Sequence, residues 1–244
     1  MVNSTLLSIL WTARRGSQAT RATALLAATV YLRSLPSPDT GSQLTYREEY
    51  GRGLLYLLAY EFSECEQAAA FLSLVIERSR KSCGTTALIS HTTALGRTPL
   101  HDFAANCSNL SLAKTVLREH PPSLTLLTSY GRTPLNLAEL FRGSTSEITV
   151  FLRTASAAYD ASNPVALVAL CDGSSPYLAR AIHRQTIALR SAVAICLNRQ
   201  EEAPSALFSA GAGVALSLLE RLRDFGRVGN SSDLLRVVLE FVGP

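Results

Sequence analysis

The sequence is poor in charge, in aromatic residues and in cysteine. Charged residues make up 17% of its 244 positions and aromatic residues 7%, with a single tryptophan and a single methionine. Lys and Arg number 23 against 19 Asp and Glu, a net charge of +4, and the arginines are scattered. No dense basic stripe of the kind that tracks a phosphate backbone is present, so no nucleic-acid partner is expected. The cysteines Cys65, Cys83, Cys107, Cys171 and Cys196 lie far apart and form no CxxC. Their odd number and wide spacing argue against a disulfide framework or a zinc site. They read as free thiols in a reducing compartment, which points to the cytoplasm. The Asn-x-Ser/Thr sequons at Asn3, Asn106, Asn109 and Asn230 then carry no meaning.

Long hydrophobic runs are missing too. The best candidate, 203–219, holds Pro204, Gly211 and Gly213, and a membrane-spanning helix needs about 20 mostly apolar residues. No membrane partner is expected from it. Acidic residues are absent from 1–38, where Arg14, Arg15, Arg21 and Arg33 sit among many Ser and Thr. That is the composition of an organelle transit peptide. It also suits a basic helical hairpin, with apolar clusters at Leu6, Leu7, Ile9, Leu10, Trp11 and at Leu25, Leu26, Val30, Tyr31, Leu32, closed by 33–38. Alternating β-branched runs are lacking, whereas Ala and Leu, both strong helix formers, are abundant. The expected fold class is all-α.

Signals of chemistry are equally scarce. His91, His101, His120 and His183 are not at metal-ligand spacing with one another or with a cysteine. There is no GxSxG, HExxH or GxxxxGK[ST]. Gly51-Arg-Gly53 and Gly211-Ala-Gly213 lack the third glycine of a dinucleotide loop. The expectation is a protein that is not an enzyme, with no catalytic residues, no cofactor and no metal. Arg180, His183 and Arg184 share one helical face, with Arg190 near it, and read as a solvated surface.

What is present is an internal repeat. Gly96-Arg97-Thr98-Pro99-Leu100-His101 is echoed 131 − 96 = 35 residues later by Gly131-Arg132-Thr133-Pro134-Leu135-Asn136. The hexamer spells a helix start. Gly allows a tight turn, Thr caps, Pro takes the first helical position and Leu points inward. Helices are expected over 98–106, 110–120, 133–141 and 147–155, with Pro121-Pro122 ending the second. A worn copy stands upstream: Tyr50-Gly51-Arg52-Gly53-Leu54-Leu55 keeps the Tyr, Gly, Arg and final Leu of Tyr130-Gly131-Arg132-Thr133-Pro134-Leu135. Its helices would run over 55–62 and 66–80. It stands 96 − 51 = 45 residues from the next copy, which implies a long loop over 81–95.

The segment Thr98-Pro99-Leu100-His101 resembles the ankyrin repeat, whose period is about 33 residues and whose signature is Thr-Pro-Leu-His-x-Ala. Asn136 replaces the histidine in the second copy. The resemblance covers 96–155, or 50–155 with the worn copy. It implies a short ankyrin-repeat helical solenoid over 49–155, a degenerate capping hairpin at 1–48, and a non-repeat helical C-terminal region, 156–244, that caps the last repeat. Within the family the histidine ties its own cap threonine to the neighbouring repeat, and Asn136 would do only part of this. The family binds partner proteins through loop tips and first helices. By position these are 92–95 with Arg97, then Asp102 and Asn106, then 125–130 with Thr128, Tyr130 and Arg132, and finally Glu139 and Arg142. In the C-terminal region, Ser175-Pro176 is another cap-plus-proline start, for a helix reaching about residue 199. Leu234, Leu235, Val237, Val238, Phe241 and Val242 would make an amphipathic final helix. The expected function is a scaffold or adaptor for an unidentified protein. The alternatives are a regulatory subunit with a separate activity after Pro164, and an organelle-imported protein.

Overall fold

The computed structural model describes residues 5–48, 50–173 and 175–199. Every regular element among them is helical. The segments 203–219 and 233–242, read above as an apolar run and a closing helix, lie outside the described residues, as do Asn3 and Asn230. The side chains of Arg190 and Cys196 are likewise not described. The chain divides into two units. One comprises residues 1–156 with 170–173, the other 157–169 with 174–244.

The first unit opens with α1 (Thr5–Ala13) and α2 (Gln18–Ser34), the expected hairpin. Ser17 caps α2 by accepting the Thr20 amide at 3.2 Å. Leu6, Leu10, Leu25 and Leu32 are fully buried. The hairpin is not closed at residue 38, because the chain turns at Leu35-Pro36 and continues into α3 (Ser37–Thr45). The sequence of α3 shows almost no apolar periodicity. It is held from outside: Leu44 is buried, and Arg78 of the helix beneath donates to the Leu35 carbonyl and, at 3.0 Å, to Thr40 Oγ1.

Three helix pairs follow. The first is α4 (Leu54–Glu61) with α5 (Ala68–Ser82), the second α7 (Pro99–Asn106) with α8 (Leu110–Glu119), the third α9 (Pro134–Arg142) with α10 (Glu147–Asp160). The bounds fall close to those expected, although α10 runs on to Asp160 rather than ending at 155. The expected long loop 81–95 is partly structured. It contains α6 (Thr85–Ile89), whose Leu88 and Ile89 are buried, so the extra residues contribute to the core. Proline 121 does end α8, but into a short 3-10 turn, Pro121–Leu124, whose Leu124 is buried.

The first helices of the pairs pack side by side, α4 on α7 and α7 on α9, and α5 packs on α8 behind them. A buried carboxylate stitches this second row: Glu119 on α8 receives Arg80 of α5 at 2.5 Å. In the second unit, α11 (Pro164–Leu170) starts where Asn163 Oδ1 accepts the Ala166 amide at 3.0 Å. There α12 (Pro176–Arg199) starts where Ser175 Oγ accepts the Leu178 amide at 3.2 Å. The cap-plus-proline start at Ser175-Pro176 therefore forms as read.

Leu100 and Leu135 hold the same place in their hexamers but not in the core. Helix α7 packs on both α4 and α9, and Leu100 is fully buried. Leu135, expected to be equally enclosed, is half-buried. Leu100→Ala should destabilise the chain by about 2–5 kcal/mol, the usual cost of emptying a packed leucine site. Leu135→Ala should cost less than about 2 kcal/mol, because less apolar surface returns to water. Denaturant midpoints of the two variants check this, and equal shifts would contradict the placement.

Candidate interaction surface

Each helix pair is entered through a five-residue loop, and the three loops share one hydrogen-bond pattern. The first residue's amide donates to the fifth residue's carbonyl, and the fourth residue's amide donates back to the first residue's carbonyl. The distances are 3.0 and 2.8 Å for 48–52, 2.9 and 2.8 Å for 93–97, and 2.9 and 2.9 Å for 128–132. The fourth residue is always glycine. Gly51, Gly96 and Gly131 have φ of 74°, 68° and 68°, the left-handed region that side chains with a Cβ avoid. Threonine staples two of the loops from inside. Thr93 Oγ1 accepts the Arg97 amide and Thr128 Oγ1 the Arg132 amide, each at 3.2 Å. In the first loop Glu48 stands there instead, and Arg52 grips its carboxylate, Nη2 to Oε2 at 2.9 Å.

The loops are joined edge to edge. The Ala94 amide donates to the Tyr50 carbonyl at 3.1 Å, and the Ser129 amide to the Leu95 carbonyl at 3.0 Å. These are equivalent positions, so one register runs through all three. The approach is close: a Cβ on Gly96 would lie 2.8 Å from the Ser129 nitrogen, whereas one on Gly131 would meet open space. The third residue of each loop points outward, leaving Tyr50, Leu95 and Tyr130 exposed by 58%, 48% and 74%.

Below the loops, the caps connect one pair to the next. The Thr98 amide donates to His101 Nδ1 at 3.1 Å, so that nitrogen is an acceptor and the ring proton sits on Nε2. Nε2 donates to the Arg132 carbonyl at 3.0 Å. Burial holds the His101 pKa below its ordinary value, which keeps the ring neutral. In the last pair Asn136 Oδ1 accepts from the Thr133 amide at 3.1 Å and from its hydroxyl at 3.0 Å. The cap half of the histidine's work is thus present there.

A groove of about 370 Å³ lies beside the first two loops, lined by Tyr50, Arg52, Tyr56, Tyr60, Leu95, Arg97 and Asp102 among others. Tyr56 and Tyr60, one turn apart on α4, stack with ring centroids 4.5 Å apart. The Arg52 guanidinium lies 5.0 Å from the Tyr50 ring centroid and 5.3 Å from that of Tyr56. A smaller cavity of about 20 Å³ also reaches Asp102 and Arg97, together with His91 and Arg47. Asp102 is 1% exposed, and its Oδ1 has no hydrogen-bond partner. Arg97 Nη1 is 3.6 Å away, an ion-pair distance only. Burial pushes the Asp102 carboxyl up to about 7, against the pull of Arg97.

The residues picked from the sequence divide accordingly. Tyr130, Arg132, Glu139 and Arg142 are exposed, and Glu139 is engaged by Arg153 at 2.8 Å. Arg97 is half-buried at the groove. Asn106 is half-buried, and its side-chain amide donates to the Asp102 carbonyl at 3.0 Å. Two expectations need correction. Thr128 is buried and spends its hydroxyl on the loop. Asp102 lies in the first turn of α7, but as a buried carboxyl at the base of the groove and not as a surface one. Leu95 belongs to the loop 92–95 picked from the sequence, whereas sequence reasoning missed Tyr50, Arg52, Tyr56 and Tyr60. The available signals were the Tyr pair at i, i+4 and the match of Tyr50 to Tyr130.

Among the described residues no group of three His, Cys, Asp or Glu side chains is placed to hold a metal ion, and no helix is long and apolar enough to cross a membrane. Cys65, Cys83, Cys107 and Cys171 are free thiols, and burial pushes those of Cys107 and Cys171 up to about 11. No family model matches the chain, and neither a curated protein nor a solved structure matches it.

The raised carboxyl has a thermodynamic consequence. Asp102 titrates near 7 when folded and near 3.8 when unfolded. Between these values the folded chain holds a proton that the unfolded chain has released, so stability falls as pH rises. Asp102→Asn removes this dependence. Urea midpoints followed from about pH 4 to about pH 8 should show the variant gaining on the wild type by a total of about 3–4 kcal/mol. A pH-independent difference would contradict the assignment.

Proposed function

We propose that this chain acts by binding a partner protein through ankyrin-type repeats, as a scaffold or adaptor and not by catalysis. The observation that carries the reading is the row of three loops in one hydrogen-bonded register, with Tyr50, Leu95 and Tyr130 at their tips. A protein that buried these side chains for its own stability would not hold them so far out. Exposed tyrosine beside arginine is the composition of interface hot spots, and a pre-ordered loop loses little entropy on binding. The period of 35 residues, the Thr-Pro caps and the imidazole that joins α7 to the loop before α9 support the ankyrin assignment. The glycine geometry of the loops supports it further. A stack of this kind offers a continuous surface of loop tips and first helices, wide enough for an extended segment of another protein.

The test uses the full-length chain to capture partners, followed by direct measurement of affinity for the purified partner. Tyr130→Ala combined with Arg132→Ala should weaken that affinity by about tenfold or more, since both side chains project from the tip of the last loop. Circular dichroism should be unchanged, because neither side chain is buried. Unaltered affinity would show that the loop tips are not the binding surface.

A further inference from the structure

The groove at the first two loops lies where one repeat position carries a different residue. The position that His101 holds in the second pair is held in the first by Tyr56, counted from Gly96 and Gly51 respectively. Where an imidazole fills the joint between pairs, the joint here has a phenol at its edge and open space beside it. The rim is apolar and exposed, made by Tyr50, Tyr60 and Leu95, and the base is the carboxyl of Asp102.

Charge around this space is unbalanced. Arg52 and Arg97 line it and Arg47 lies below. Two acids oppose them. Glu48 is consumed by Arg52, and Asp102 stands 3.6 Å from Arg97. His91, the other ionisable ring facing the lower cavity, is kept neutral by burial and by Arg47, and burial holds the Tyr56 phenol above its ordinary value. With Arg47 of the lower cavity counted, three guanidiniums stand against two carboxyls, so the surroundings are net positive. A buried carboxyl with an oxygen lacking a hydrogen-bond partner nonetheless sits at the base.

We propose that this groove binds an acidic segment of a partner protein, seating one carboxylate on Arg97 against the carboxyl of Asp102 and laying the neighbouring apolar side chains between Tyr50, Tyr60 and Leu95. The proposal rests on the protein-binding function above and names the chemistry of the partner. Protonated Asp102 donates its O–H to the incoming carboxylate, and Arg97 supplies the countercharge. This gives a hydrogen-bond partner to Asp102, whose buried Oδ1 has none among the described residues, and charge-assisted hydrogen bonds of this type are the strong ones. Ionised Asp102 would instead repel the same carboxylate. Binding thus takes up a proton, and affinity falls as pH rises through the range where Asp102 ionises.

Three short dye-labelled peptides test this by fluorescence anisotropy with the full-length chain: alternating glutamate and leucine, glutamine and leucine, and lysine and leucine. The glutamate peptide should bind, more weakly at about pH 8 than at about pH 6. Arg97→Gln should weaken it by about tenfold or more, with partial recovery in Arg97→Lys. Asp102→Asn should flatten the pH profile. Should Arg97→Gln fail to fold, Tyr50→Ala on the exposed rim should weaken binding in its place. Equal binding of the glutamine peptide, tighter binding of the lysine peptide, or no binding of any of the three overturns the proposal. If that happens while Tyr130→Ala with Arg132→Ala still weakens a captured partner, the adaptor function stands and only the acidic specificity falls.

Discussion

The imidazole of His101 is the joint on which the arrangement of helix pairs depends. It is fully buried and its two nitrogens face different parts of the chain. Nδ1 accepts the amide of its own cap residue, Thr98, and Nε2 donates to the carbonyl of Arg132 in the next loop. That carbonyl also receives the Thr128 amide, which closes the loop. Helix start, loop closure and the register of neighbouring units therefore converge on one ring and one oxygen. A charged imidazole has no acceptor and would break the first contact, and burial prevents this by disfavouring the cation. The first joint is made by other means, with the loop bond from Ala94 to Tyr50 and His91 Nε2 at 3.2 Å from the Gly51 carbonyl.

The loops turn that joint into a surface. A left-handed glycine in fourth place reverses the chain tightly enough for one loop's amide to reach the previous loop's carbonyl. The third side chain is then left with nowhere to go but out. Exposure of Tyr50, Leu95 and Tyr130 follows from backbone geometry and not from a shortage of core. The same geometry brings Arg52 and Arg97 to one groove, since each occupies the fifth place of its loop.

Local chemistry was legible in the sequence and adjacency was not. The starts at Thr98, Thr133 and Ser175 form where read because a cap and a proline act within one turn. The worn copy at Gly51 was legible through its glycine and arginine, although its threonine staple had become Glu48. Helix α3 escaped notice because its Ser37-Pro38 start reads as the end of the hairpin, and α6 because five residues carry no periodicity. Arg78 holds the turn into one, and the burial of Leu88 and Ile89 fixes the other. Asp102 was placed on the right helix with the wrong environment. Its burial comes from α4 packing across α7, a contact that the repeat spacing implies between helices but not for any one side chain. The groove escaped for the same reason, being built by two loops that only the folded chain sets side by side.

Asn136 shows how a single side chain marks direction along such a row. Both its hydrogen bonds from Thr133 end on one oxygen, so the cap is made as well as His101 makes it. What the shorter amide gives up is reach: it has no second ring nitrogen on the far side to offer a following loop. The glycine of the same unit agrees. At Gly96 an added Cβ would strike the next loop, but at Gly131 it would meet nothing. Joint and loop are thus relaxed together at the third unit, where no fourth loop of this pattern follows among the described residues. A side chain that bridges is retained where there is something to bridge to, and is reduced to its local capping role where there is not. The substitution of Asn for His therefore fits the end of the row, and a weakened joint between the second and third units is not its consequence, because that joint is made by His101 from the other side.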